Sequence, residues 1–446
     1  MDQPTVFVVG AGPAGLFAAR KIAAAGHRVL ILNRDVKPGG LAEYGIYPQK
    51  FHMKSGLRKQ FAKILAMPNL DYIGNVRVRC DEPLTVERLK DWNPSAIVFA
   101  VGAQGTKNLG LPGEDAKGVY SAKDFVYHYN LLPPFASQDF STGRRVAIVG
   151  MGNVMVDIAR WLLVDQPGQR PEEVIVIARR GPFEVKFDRK EFDEVETFLD
   201  RRLFQEELSR VAEACKAVGQ DVSQVADKCF PWLKIQPENS PASRLSFRFL
   251  CSPVEIEPGA DGRIARLRVV ENILVRDGEN TRPKVTDAES LLDVDTLIFA
   301  IGDLADPGLG LPYAKNCYVT NSSPAESDRA SYEVFDPASG SVMDGVFVVG
   351  WARKASEGLV GKARFDAEHG IEHVLKYLEI AAPKEPATTA EILGEIRARG
   401  IEAVTKEDIA VLGQIELQQA QSLGLKEFKF STNEEMLRAI EARVAS

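Results

Sequence analysis

The sequence predicts an α/β fold: two parallel-sheet domains, one interrupted by the other, followed by a helical tail. Three observations predict it. Thr5-Val-Phe-Val-Val9 is an unbroken β-branched and aromatic run of the kind buried on both faces of a parallel sheet, and it leads straight into Gly10-Ala-Gly12-Pro-Ala-Gly15. About 140 residues later the pattern returns as Arg145-Val-Ala-Ile-Val149 followed by Gly150-Met-Gly152-Asn-Val-Met155. Two more apolar runs ending in glycine, Ala96–Gly102 and Thr296–Gly302, bracket that second copy as exit and return strands would if it were inserted in the first. Both copies therefore read as Rossmann-like dinucleotide-binding domains.

Each element follows in order. From Leu16 to Ala25 the pattern is helical and Ala-rich, Gly26 closes it, and Arg28-Val-Leu-Ile-Leu32 supplies the next strand, so the first βαβ unit is complete. In the second copy a helix runs through Leu163 and Val174-Ile-Val-Ile177 is the following strand. A further run, Gly345–Gly350, leads into Trp351 and a helix from Gly358 to about Leu378. At Ala381-Ala-Pro-Lys-Glu-Pro386 the composition shifts to a linker, after which Thr389–Arg399 and Lys406–Leu423 read as helices of an appendage. The resulting boundaries are 1–106 and 303–383 for the first domain, 107–302 for the inserted one, and 384–446 for an extension packed on the first.

Composition narrows the function. At 446 residues the chain is too long for one core, and 45% hydrophobic with 26% charged residues is ordinary globular usage. A net charge of −7 argues against a nucleic-acid binder. The five cysteines, Cys80, Cys215, Cys229, Cys251 and Cys317, form no C-x-x-C pair and no zinc or iron–sulfur spacing, which removes thioredoxin-reductase chemistry and fits a reducing compartment. Met1-Asp2-Gln3-Pro4 lacks the character of a targeting segment, and no apolar run reaches the ~18 residues of a membrane span, so a cytoplasmic protein is expected. His369 and His373 have metal-ligand spacing, but without a third ligand they read as surface or packing residues, and no metal site is expected. G-x-S-x-G is absent, which excludes the commonest hydrolase reading.

The glycine-rich turns have a mechanical logic. The first glycine permits the tight turn, the second lets a pyrophosphate approach the backbone, and the third lets the helix pack on the strand. Gly10, Gly12 and Gly15 meet all three demands, with Ala14 in the same turn and Gly102 ending the neighbouring strand. In the second turn Gly150 and Gly152 are present, but Met155 stands where a small residue is usual. Asn33 likewise stands where an acidic side chain usually holds the ribose hydroxyls. Arg179-Arg180-Gly181 follows the second unit's strand, with Lys186, Arg189 and Lys190 close behind; arginine forks match phosphate oxygens, which selects NADP over NAD. Gly350-Trp351, before Gly358-Leu-Val-Gly361, sets a helix N-terminus where it could face the pyrimidine edge of a flavin.

Taken together, Gly10–Gly15, Tyr44-Gly-Ile-Tyr-Pro48, Leu111-Pro-Gly-Glu-Asp115, Gly152-Asn-Val154 with Asp157, Arg179-Arg-Gly-Pro182, Phe247-Arg-Phe-Leu-Cys-Ser-Pro253 and Gly350-Trp351 resemble the adrenodoxin reductase type of ferredoxin–NADP+ reductase. The likeness continues through Lys426–Lys429 and Glu434-Glu-Met-Leu437 and so covers nearly the whole chain. The resemblance implies an FAD domain interrupted by an NADP(H) domain, hydride transfer from NADPH to FAD, and release of single electrons to a small acidic ferredoxin-type iron–sulfur protein. By position, Gly10, Gly12, Ala14, Gly15, Asn33, Leu41, Val76, Gly102, Trp351, Gly358, Leu359 and Val360 would hold FAD, and Gly150, Gly152, Asn153, Val154, Arg179, Arg180 and Glu191 would hold NADP. The chain departs from the pattern at two places: Gln49-Lys50 replaces the family's Asp-His, and Ser356-Glu357-Gly358 replaces Pro-Thr-Gly. Lys50, Asp157 and Glu357 are therefore the candidate catalytic residues, and Arg201 and Arg202 the candidate docking residues for the acceptor. Two other readings stand beside this one. In the first, a reductase or oxidase acts on a small molecule that meets Lys50 or Glu357; in the second, a partner protein keeps FAD without NADPH turnover, as Met155 and Glu357 would suggest.

Overall fold

A computed structural model describes residues 3–47, 50–235, 242–321, 332–353 and 360–444. The chain forms two compact units, one of residues 1–106, 127–137 and 302–446, the other of residues 107–126 and 138–301.

In the first unit a seven-stranded sheet has the order Glu333–Asp336, Ser341–Val348, Ala96–Phe99, Thr5–Val9, Arg28–Leu32, Leu70–Gly74, Val404–Thr405. The five inner strands are parallel and the two edges antiparallel. Residue alternation explains the layers. Val6 and Val8 point into one core, with Leu16 and Ile22 of the helix Pro13–Ala24 and Ile371 and Val374 of the helix Val360–Ile380; Phe7 and Val9 point into the other, with Trp92 and Ile396. Continuous apolar strands are what a sheet covered on both faces requires.

The second unit carries a parallel five-stranded sheet in the order Val119–Ser121, Thr296–Phe299, Arg145–Val149, Glu173–Ile177, Arg244–Arg248. Cys251–Pro258, Ile264–Asp277 and Asn280–Asp293 add a three-stranded antiparallel sheet. Phe192, Phe204, Phe230, Trp232 and Phe247 build an aromatic core beside the parallel sheet. The helix Asn153–Arg160 continues as one π turn, Trp161–Asp165.

Two features depart from the sequence reading. Residues 127–137, assigned there to the insertion, belong to the first unit, because Tyr127 and Leu132 bury against Tyr44. The tail contains the expected helices, Thr389–Ala398 and Lys406–Ser422, but also the helix Asn433–Val444 and a strand that completes the first sheet. No helix among the described residues is long and apolar enough to cross a membrane.

Candidate functional site

In the first glycine-rich turn each glycine has a separate steric reason. Gly10 has φ +105°, and a Cβ there would lie 2.7 Å from the Ala100 carbonyl oxygen. A Cβ on Gly15 would stand 1.8 Å from the Gly10 oxygen, so only a bare backbone lets helix and strand meet. Gly12 is different: nothing of the protein lies within 4 Å of the missing side chain. It caps the helix Pro13–Ala24 without a side-chain hydrogen bond, Pro13 opens that helix, and its first turn holds no acidic residue. The free amides and positive helix end thus face open space, which suits an anion.

Two glycines that sequence reasoning passed over complete this cradle. Gly39 donates its amide to the Ala11 oxygen at 2.7 Å, and a Cβ on Gly40 would approach Gly12 Cα at 3.0 Å. The signal was the Gly-Gly dipeptide after Pro38, a turn marker close behind the second strand.

Asn33 departs from its expected role. Its Oδ1 accepts from the Ala11 amide at 2.9 Å, while Nδ2 is shared among the carbonyls of Asp35 and Lys37 and the Tyr72 hydroxyl. Both ends of the amide brace the turn from inside, so no donor is left for a ribose. Val76 is buried in the core, leaving only its backbone for a ligand, and Leu41 packs partly buried beside Tyr44. Gly102 takes positive φ just beyond the strand Ala96–Phe99.

Gly350-Trp351 lies against the first turn, since a Cβ on Gly350 would meet Ala14 Cβ at 2.6 Å. The Asp366 carboxylate accepts the Gly350 amide at 2.7 Å and pairs with Arg353, whose guanidinium stacks 4.1 Å from the Tyr332 ring centre. Trp351 Nε1 is buried without a hydrogen-bond partner. Glu357, Gly358 and Leu359 lie outside the described residues; Val360 opens the helix Val360–Ile380. Lys50 precedes the helix Phe51–Leu65, with Nζ 4.6 Å from the Tyr47 ring centre, while Gln49 lies outside the described residues.

Behind this region lies a charge cluster that the sequence did not reveal. Glu43 is ringed by Arg58 at 2.6 Å, Lys429 at 3.1 Å and Lys37 at 3.7 Å; Lys37 also reaches Glu416 at 2.5 Å, and Glu427 pairs with Arg58 and Lys429. Burial alone would raise the Glu43 carboxyl, but Lys37, Lys429 and Arg58 hold it well below the usual carboxylate range. Lys54 has a side chain only 1% exposed and its nearest carboxylate, Glu427, 3.9 Å away. Burial, reinforced by Lys429, pulls its ammonium down to about 7.

The second turn repeats the first. Gly150 has φ +128° with the Ala300 oxygen 2.2 Å from a would-be Cβ, and around Gly152 nothing lies within 4 Å. Met155 is 0% exposed and packs into the unit's interior, so the third position tolerates a large residue that turns inward. Asn153 clips a neighbouring loop: Oδ1 accepts the Asp188 amide at 2.7 Å and Nδ2 donates to the Asp188 carboxylate at 2.9 Å. Val154 is 47% exposed at the start of the helix, Asp157 is half-buried one turn on, and Glu191 is half-buried in the short helix Arg189–Phe192. Arg179 is exposed and Arg180 half-buried; Arg180 Nε is buried without a partner. An orphaned donor and an open glycine are what a dinucleotide phosphate would satisfy.

The docking expectation does not hold for Arg201. Its side chain is 16% exposed and its guanidinium is consumed by the Trp232 and Leu199 carbonyls and by Glu196. Arg202 is exposed but paired with Glu206 one helical turn away, an ordinary solvated ion pair. His369 meets the Tyr332 ring edge-on and His373 packs tilted against it.

Residues 4–207 match the family model of pyridine nucleotide-disulphide oxidoreductases. The chain is 28% identical to NADPH-ferredoxin reductase FprA of Mycobacterium leprae over 97% of both proteins. It is also 28% identical to the mitochondrial NADPH:adrenodoxin oxidoreductase of Bos taurus, over 98% of this chain and 92% of that one. The structure of Mycobacterium tuberculosis FprA in complex with NADPH superposes with a TM-score of 0.80 at 26% identity, covering 98% of this chain and 99% of that one. By sequence and by fold, then, this chain is similar, over almost its entire length, to NADPH-ferredoxin reductase FprA and to NADPH:adrenodoxin oxidoreductase.

Proposed function

We propose that this chain is an FAD-dependent oxidoreductase that takes a hydride from NADPH and passes electrons singly to a small iron–sulfur carrier of the ferredoxin type. One observation carries the reading: each unit has a strand–turn–helix cradle whose middle glycine opens onto free space, and in the second unit an arginine pair, Arg179-Arg180, follows the strand after it. The whole-length likeness to NADPH-dependent reductases supports the same assignment. Bound in the first cradle, FAD would supply the conversion of a two-electron donor into one-electron steps.

The chain's own residues bind and orient. Gly10, Gly12 and Gly15 let the FAD pyrophosphate approach the amides at the start of the helix Pro13–Ala24, with Ala14, Leu41, Gly102 and the Val76 backbone around it. Trp351, Gly358, Leu359 and Val360 hold the far end, and Asp366 keeps Gly350 in place by accepting its amide. Gly150, Gly152, Asn153 and Val154 cradle the NADP pyrophosphate, Glu191 lies in the adjoining loop, and Arg179 and Arg180 hold the 2′-phosphate. The burial of Met155 removes one argument for a chain without NADPH turnover. With Arg201 committed internally, the acceptor's docking face is left without an assignment.

Replacing both Arg179 and Arg180 by alanine tests the donor site. We expect KM for NADPH to rise about 100-fold, since two charge-assisted contacts are lost, while KM for NADH changes little. A wild-type preference for NADH would overturn the reading, as would purified protein that takes up no FAD.

A further inference from the structure

We infer that Lys186 is a further phosphate-binding cation of the nucleotide site in the second unit, engaging the pyrophosphate rather than the 2′-phosphate. The inference rests on the NADPH reading above and adds to it a residue that neither the glycine-rich motif nor the arginine pair specifies.

The argument begins with the backbone. The segment after Pro182 runs alongside the second glycine-rich turn and pairs with it as a parallel bridge, Gly152 opposite Lys186, with the Lys186 amide donating to the Met151 oxygen at 3.0 Å. Residues paired directly across a bridge project to the same side. Lys186 therefore leaves the chain on the side where Gly152 lacks a side chain, and there nothing of the protein lies within 4 Å. The next residue confirms the direction, because Phe187 turns the other way, is buried, and stacks on Phe192 at 4.7 Å. Two bonds between Asn153 and Asp188 hold the segment against the turn from the other end.

The charges around it leave the ammonium available. Lys186 is exposed and has no ion pair among the described residues. Two acids lie two residues away: Asp188 already accepts from Asn153 Nδ2, and Glu184 accepts from Gln220 and Thr281, while Arg189 donates to the Lys228 carbonyl. An unpaired ammonium on the open side of a glycine cradle is a point charge suited to phosphate, and it needs no planar fork. What approaches Gly152 in such a turn is the pyrophosphate; the 2′-phosphate belongs at the end of the following strand, where Arg179 and Arg180 are.

Titration of the holoprotein with NADP+ and, separately, with 2′-AMP separates the two roles, because 2′-AMP carries the 2′-phosphate and no pyrophosphate. Lys186→Ala should weaken NADP+ about tenfold, the loss of one charge-assisted contact, and leave 2′-AMP unchanged; Lys186→Arg should recover most of the loss. Arg180→Ala should weaken both ligands. Equal loss of NADP+ and 2′-AMP in Lys186→Ala would assign the lysine to the 2′-phosphate and overturn the inference. An unchanged NADP+ affinity would overturn it as well, leaving a solvated side chain. A wild-type protein that binds 2′-AMP but not NADP+ would also contradict it, whereas one that binds neither would remove the NADPH reading itself.

Discussion

Single residues divide sharply here between those that shape the protein and those that leave room for a ligand. Gly15 and Gly12 sit three residues apart in one motif, yet a Cβ on the first would strike the Gly10 oxygen and one on the second would touch nothing. Gly15→Ala should therefore cost about 3 kcal/mol or more of stability through overpacking against backbone. Gly12→Ala should unfold at the wild-type temperature but lose FAD uptake, as flavin fluorescence retained after gel filtration would report. Lys54 makes a different prediction. Its folded-state pKa of about 7 lies below the ordinary 10.5, so between those values the unfolded chain holds the extra proton and stability rises with pH. The cost of the buried charge is fully present below pH 7. Lys54→Met should raise the thermal midpoint at pH 6, by the equivalent of about 2 kcal/mol, and the gain should shrink toward pH 10. A gain that grows with pH would contradict this account.

Elements show what the sequence could and could not reveal. The strands were legible because they are unbroken apolar runs, and the turns because glycine has so few reasons to recur at that spacing. Asn33 shows the limit: sequence alone weighs its side chain against a ligand, whereas the fold ties it to Ala11, Lys37 and Tyr72. The buried charge cluster escaped notice for another reason: Lys37, Glu43, Lys54, Arg58, Glu416, Glu427 and Lys429 each read as surface residues, and only the fold gathers them. That cluster fastens the C-terminal segment, since Lys429 donates to the carbonyls of Glu43 and Asn130 as well as pairing with Glu43. Lys429→Met should cost about 3 kcal/mol, the usual consequence of breaking a buried pair, and lower the first unit's melting temperature. Arg202→Ala, which breaks only an exposed pair, should stay within about 0.5 kcal/mol of wild type. Similar losses in both would argue that burial of the cluster contributes nothing.

At the scale of the whole molecule, the chain spends its length on two nucleotide cradles of one design and a tail that completes the first sheet. The interruption of one unit by the other was legible from the order of the strands, but the return of residues 127–137 to the first unit was not, because it depends on tyrosine packing rather than on periodicity. The central claim is that the first cradle holds FAD and the second delivers NADPH to it. Rapid mixing of the FAD-loaded protein with NADPH under anaerobic conditions tests it most directly, by following the flavin's visible absorbance. We predict fast bleaching with NADPH and much slower bleaching with NADH at equal concentration; a flavin that stays oxidised with both would contradict the account.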